Sequence, residues 1–499
     1  MASARDTSFS YSDTDTWLAT RLISKLSLEI IIAFATILSF YALFSRAQKW
    51  RRKKGRLPYP IGPRGAPIIG NALQMPLKDP WLKWTEWAAV YGDIFYLNMM
   101  VRSIVVLNSA RAGFDLLTKR GNIYSDRPGM SLTRDHGGWH FNIATESYGE
   151  EFLIKRRFYN QSLNPTATKQ HFGMLQDNAR LLAQSLLRDS SKVYRSQHDD
   201  VGLWSSSVYD IVLTQLEFIV KDENDEWVKH AEEAARTLEG MGNHPIDFWP
   251  FLGKLPFFIW GKEFVEQMKK MKEATHLAST VPYDVVKRKF FSGTALPSMA
   301  TMLLEENIRP DKTIAHEESI NGTLSITYIV AKFIHKAGSD TTVSNIDTFI
   351  VAMIHHPRIQ REAQRTIDEL LQGERLPTLD DRGRLPYLEA ILREVQRWKP
   401  VVPGGIPHCS SQDDEYEGMF IPKGTMVVFN VLICPGRHFA SSWLWITIAT
   451  LLTVFEISPE IDAEGKSELP ELEYEHGHPK PFRCRLKLRP SMASFIDDE

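Results

Sequence analysis

The chain has 499 residues, a formal net charge of −2, and 24% charged against 43% hydrophobic side chains. This is ordinary globular composition with no global pull toward nucleic acid, and the length suits two or three average domains or one large helical enzyme. Only three cysteines, Cys409, Cys434 and Cys484, are present, which excludes a disulfide framework and suits a reducing compartment.

Leu26 to Phe44 is the one apolar stretch long enough to span a bilayer, with Glu29 as its sole charge near one end. At helical rise it reaches roughly 28 Å, close to the hydrocarbon thickness of about 30 Å. Arg46, Lys49, Arg51, Arg52, Lys53, Lys54 and Arg56 follow it with no acid among them, while basic and acidic side chains balance before it. The positive-inside rule then puts everything after Arg46 in the cytosol. A signal peptide is the alternative, but the segment starts late and lacks a clear small-residue cleavage site.

Beyond a proline-rich stretch, Leu57 to Pro67, the pattern predicts a mainly helical body. Short strands are expected near Ile94 to Leu97, Ser103 to Leu107, Thr425 to Val431 and Phe482 to Leu488. Gly137 to Tyr148, rich in glycine and aromatic residues, reads as a loop over a pocket. His355-His356 before Pro357 reads as a helix end, because adjacent helical side chains point apart.

Three motifs carry chemistry. A long helical pattern from about Leu324 to Ile354 contains Ala337-Gly338-Ser339-Asp340-Thr341-Thr342. Gly338 there signals close approach or a local opening of the backbone, beside which Asp340 and Thr341 could relay protons; the plainer reading is a tolerated glycine among polar surface residues. Leu385 to Pro400 predicts a helix with Leu388, Ile391, Leu392 and Val395 on one face and Glu394 three residues before Arg397, a spacing usual for solvated surface pairs. Cys434 closes an alternating strand just before Pro435-Gly436-Arg437, where a helix N-terminus favours a thiolate able to bind a metal, although most free cysteines are inert core residues. His408, Cys409 and Cys434 lack zinc-type Cys-x-x-Cys spacing.

In this order the three motifs resemble the cytochrome P450s, closest to fungal microsomal members of secondary metabolism. The proline-rich stretch, Tyr124-Ser125-Asp126-Arg127-Pro128, Pro407-His408 and Ile421-Pro422-Lys423-Gly424-Thr425 also look like family segments. The resemblance implies a mainly α fold with small β-sheets and four regions: a luminal tail 1–25, a transmembrane anchor 26–44, a linker 45–67 and a haem-thiolate catalytic domain 68–499. It further implies that Cys434 is the axial ligand of haem iron, that Asp340 and Thr341 deliver protons, that Arg156 and His408 hold the haem carboxylates, and that Glu394 and Arg397 brace the proximal side. No dinucleotide or flavin fingerprint occurs, so electrons are expected from NADPH through a separate flavoprotein reductase docking near Lys155, Arg157 and Arg358. The implied reaction inserts one oxygen atom from O2 into a lipophilic small molecule at the endoplasmic reticulum membrane, single-pass, with the catalytic domain cytosolic.

The chain departs from the family in two places. The several dozen residues that precede the family's cysteine, a meander and a Phe-x-x-Gly-x-Arg-x-Cys loop, are missing; Val427, Asn430 and Leu432 stand at the Phe, Gly and Arg positions. Phe152 replaces the tryptophan of a Trp-x-x-x-Arg element that keeps Arg156. Glu394 and Arg397 are therefore expected to be partly buried and incompletely paired. A haem-deficient pseudoenzyme, or a gene model lacking a coding segment, stays open beside the monooxygenase.

Overall fold

A computed structural model of the protein describes residues 57–67, 69–76, 78–99, 102–188, 194–195, 230, 233–234, 237, 245–248, 250–255, 260–295, 298–333, 338–429, 436–461, 467–475 and 477–495. The expected anchor at 26–44, Asn430 to Pro435 and hence Cys434 lie outside these residues. Among the described residues no helix is long and apolar enough to cross a membrane.

The fold is mainly helical with small sheets, and its helices begin and end where local chemistry dictates. In chain order they are α1 (Pro80–Tyr91), α2 (Glu150–Leu163), α3 (Phe172–Arg188), α4 (Lys262–Ser292), α5 (Met299–Asn307), α6 (Glu317–Phe333), α7 (Gly338–His355), α8 (Pro357–Leu371), α9 (Pro386–Trp398) and α10 (Arg437–Val454). Pro80, Pro357 and Pro386 sit in first turns, where a missing N–H costs nothing. Ser298 and Thr301 form a capping box that starts α5. Gly293, at φ 70°, closes α4 by giving its N–H to the Lys289 and Phe290 carbonyls. His355 ends α7 and His356 caps α8, as the adjacent-histidine pattern predicts.

The long pattern from Leu324 to Ile354 is α6 and α7, on either side of residues 334–337. All four apolar residues expected on one face of α9, Leu388, Ile391, Leu392 and Val395, are buried. They join a core in which α3, α7, α8 and α9 surround α10, whose residues from Ser442 to Val454 are buried throughout. A helix apolar on all sides belongs at such a centre. A second core joins α2, α4, α5 and α6 through Phe158, Met271, Leu303 and Ile320. Trp139 and Phe141 stack at 5.6 Å inside it and anchor the Gly137 to Tyr148 segment in the core, while Gly138, His140 and Phe141 of the same segment line a cavity of about 270 Å³.

The principal sheet has four strands, β1 (Ile94–Met99), β2 (Arg102–Leu107), β3 (His408–Cys409) and β4 (Met426–Phe429), in the order β1-β2-β4-β3. β1 and β2 form a hairpin with Ile94 opposite Leu107. β4 runs parallel to β2, pairing Ile104 with Met426 and Leu107 with Phe429, and β3 closes the edge with His408 opposite Val427. β4 starts one residue later than the expected Thr425 to Val431, whose last two residues lie outside the described ones. Parallel strands need a long crossover; here it carries nearly all the helices and returns His408 and Phe429 to residues near 100–127.

Candidate active site

Arg127, Arg156 and His408 line one cavity of about 470 Å³, walled on its apolar side by Phe114, Leu117, Phe152 and Phe429. That volume lies in the usual range of small-molecule and cofactor sites, about 300–1,000 Å³. Phe429 packs onto the backbone at Gly113, where a Cβ would come within 2.1 Å of its ring. A side chain at position 113 would push the Phe429 ring out of this position.

Backbone carbonyls hold Arg127 and His408. Arg127 donates from Nη1 to the carbonyls of Ile406 at 2.8 Å and Pro407 at 2.9 Å. Its buried Nε has no hydrogen-bond partner among the described residues. Asp126 Oδ1 accepts the N–H of Arg127 at 2.9 Å and of Tyr148 at 3.1 Å, while the Asp126 carbonyl accepts the Cys409 N–H at 2.7 Å. His408 Nδ1 lies 2.7 Å from the Tyr124 carbonyl, which can only accept, so the neutral ring carries its proton on Nδ1 and a lone pair on Nε2. Phe152 and Arg156, one helical turn apart on α2, face the cavity together.

The electrostatics call for an anion. Burial, then the charge of Arg156, pushes the Arg127 guanidinium down to about 10. Burial, then the charge of Arg127, pushes His408 down to about 4. Two guanidiniums sharing a low-dielectric cavity repel each other, and one carries an unused buried N–H. A carboxylate would satisfy the N–H, offset the repulsion and accept charge-assisted bonds.

The structure thus brings together Arg156 and His408 and adds Arg127, which the sequence shows only as part of a motif. It does not bring Glu394 and Arg397 to the cavity. They form a bidentate pair at 2.7 and 2.6 Å on the outer face of α9, with side chains 61% and 70% exposed. The expectation of a partly buried, incompletely paired couple is corrected: the face carrying them is open, water solvates both ions and the two side chains satisfy each other. Arg397 lowers the Glu394 carboxyl below its ordinary value through that hydrogen bond.

Lys155 is also corrected. It is buried against Glu146 with Nζ 2.8 Å from Oε1, so it belongs to no basic docking surface, whereas Arg157 and Arg358 are exposed. Thr341 lies in the first turn of α7, exposed, with its carbonyl accepting Asn345 Nδ2 at 2.6 Å; it is not in the cavity wall. Asp340 is placed by its backbone in α7, and its side chain lies outside the described residues. Cys409 is buried in β3 and its thiol is pushed up to about 11, chiefly by burial, which leaves it an inert core residue. Among the described residues no group of three or more His, Cys, Asp or Glu is placed to hold a metal.

Fold and cavity together define an α-rich protein with a basic, aromatic-walled cavity between a helix, a loop and a sheet edge. The cytochrome P450 family model matches residues 60–433, ending one residue before Cys434. The chain is 30% identical to Cytochrome P450 monooxygenase claR of Ampulloclitocybe clavipes, covering 88% of each protein. It is 30% identical to Cytochrome P450 monooxygenase 208 of Postia placenta, over 89% of this chain and 93% of that one. To Cytochrome P450 monooxygenase COX1 of Coprinopsis cinerea it is 29% identical, over 94% of this chain and 99% of the relative. This last alignment runs over 532 positions, more than the chain has residues, so the relative carries residues absent here.

The chain belongs to the cytochrome P450 family. By that resemblance it is a haem-thiolate monooxygenase, and the family implies haem iron as cofactor, a redox partner and lipophilic substrates.

Proposed function

We propose that this chain is a membrane-anchored monooxygenase that inserts one oxygen atom from O2 into a lipophilic small molecule in fungal secondary metabolism. The observation that carries the cofactor assignment is the convergence of Arg127, Arg156 and His408 on one cavity with a buried N–H to spare. This donor set fits the two carboxylates of haem, and the aromatic walls fit the flat apolar body of a porphyrin. The Cys434 thiolate would hold the haem iron, and the bound group would supply the oxygen-activating chemistry.

The chain's own residues bind, orient and move protons. Arg127 and Arg156 neutralise the carboxylates, and His408 joins them once it takes a second proton, so that Nε2 can donate. Asp340 and Thr341, at the start of α7, would pass protons to the reacting molecule, and Glu394 with Arg397 would brace the proximal side through their mutual bond on α9. Residues 26–44 anchor the chain in the endoplasmic reticulum membrane with 68–499 as a cytosolic catalytic domain. NADPH-derived electrons arrive through a separate reductase at a basic surface that includes Arg157 and Arg358. The relatives' names support the reaction class, and the basic flank at Arg46 to Arg56 supports the topology.

The test is the absorption spectrum of the reduced, carbon-monoxide-bound protein expressed as this chain. A thiolate-type Soret band is expected, and Cys434→Ser should abolish it. A protein that takes up no haem would overturn the reading in favour of a pseudoenzyme.

A further inference from the structure

The buried ion pair between Glu146 and Lys155 lies outside the chemistry assigned so far. Its side chains are 8% and 6% exposed, and Glu146 Oε2 has no hydrogen-bond partner among the described residues. Burying two charges costs more than burying an apolar pair of the same size, so the pair is weakly justified by stability alone. Its position suggests another role. The buried stripe of α2 is Ile154, Lys155, Phe158, Tyr159 and Ser162, and Lys155 is its only charged member. Arg156 is the next residue, about 100° further round the helix, on the face it shares with Phe152 and the cavity.

We propose that Glu146 and Lys155 are a positioning pair that sets the rotation of α2 and thereby aims Arg156 into the cavity. An apolar residue at 155 would tolerate small rotations of the helix, whereas an ammonium bonded at 2.8 Å to a carboxylate on a fixed loop selects one. The loop is fixed at both sides of Glu146. Thr145 N–H bonds the Asn142 carbonyl, Ser147 Oγ accepts from Arg134 Nη1, and Tyr148 N–H bonds Asp126 Oδ1. Asp126 in turn holds Arg127 and, through Cys409, the strand that carries His408. Lys155 closes this circuit by tying the loop to α2. On its other side α6 comes so near that a Cβ at Gly322 would lie 3.3 Å from Lys155 Cε, leaving the ammonium little room to choose another partner.

The inference rests on the proposed haem site, so its test uses two readouts. Glu146→Leu with Lys155→Met removes both charges without stranding either. That double variant should stay folded and melt at or above the parent temperature. Its affinity for haemin should fall about tenfold, as with one lost charge-assisted bond, while its affinity for haemin dimethyl ester, which lacks free carboxylates, stays unchanged. Lys155→Met alone strands the Glu146 carboxylate and should melt lower than the parent. Parent-like preference for haemin over its ester in the folded double variant overturns the proposal. If the parent itself shows no such preference, the haem reading has failed, and amide hydrogen exchange decides separately. Exchange in α2 and residues 142–148 at least tenfold faster in the double variant supports the positioning role, and unchanged exchange ends it.

Discussion

His408 shows how one imidazole can report both on folding and on what fills the cavity. Its folded value of about 4 lies below the ordinary 6.5 because burial and Arg127 disfavour the cation. Between those two values the unfolded chain binds a proton that the folded chain refuses, so stability rises with pH. The contribution is complete above about pH 6.5 and lost as pH falls through about 4, an effect on the order of 2–3 kcal/mol. His408→Gln should flatten this limb in urea melts of the haem-free protein; an unaltered slope would show that His408 titrates normally. Nδ1 already bonds the Tyr124 carbonyl, so Nε2 can serve a carboxylate only after protonation. Haemin binding at pH 6 should therefore take up protons, visible by calorimetry in buffers of different ionisation enthalpy, and His408→Gln should reduce that uptake. Arg156 and His408 were legible in the sequence because the family resemblance gives those positions a role. Arg127 lay inside the equally local Tyr124 to Pro128 segment without one, because its place at the cavity depends on bonds to the distant Ile406 and Pro407 carbonyls.

Among the elements, α9 and α7 test different parts of the reading. On α9 the inner stripe should dominate stability. Leu388 is fully buried, and Leu388→Ala should cost about 2–5 kcal/mol. Arg397→Ala removes half of an exposed pair and should leave the folding midpoint essentially unchanged. Equal destabilisation by the two would mean that the outer face of α9 is covered in solution. The period of α9 could be read directly from its apolar residues. The exposure of Glu394 and Arg397 agrees with their i,i+3 spacing, usual for solvated pairs, and the contrary expectation of burial came from the family resemblance and its missing segment. At α7, Thr341→Ala in the haem-loaded protein should consume NADPH and oxygen with less product if its hydroxyl passes protons as proposed. Unchanged coupling would take Thr341 out of the mechanism.

At the scale of the whole molecule, the chain should detach from membranes once residues 1–45 are removed, apart from weak interfacial contact; tight retention after fractionation would count against the anchor. The principal sheet has a further consequence for biosynthesis. β2 pairs in parallel with β4, and the cavity takes Arg127 and Arg156 from early in the chain but His408 and Phe429 from late in it. At about 5–20 residues per second, the stretch between Leu107 and Met426 takes roughly 15–60 s to synthesise. Throughout that interval β2 waits with one edge unpaired, and the cavity lacks a wall and one of its three basic groups. Cofactor capture must therefore be a late event, after β4 has docked, and a nascent chain stalled before residue 408 should present an aggregation-prone strand edge and no haem-binding site.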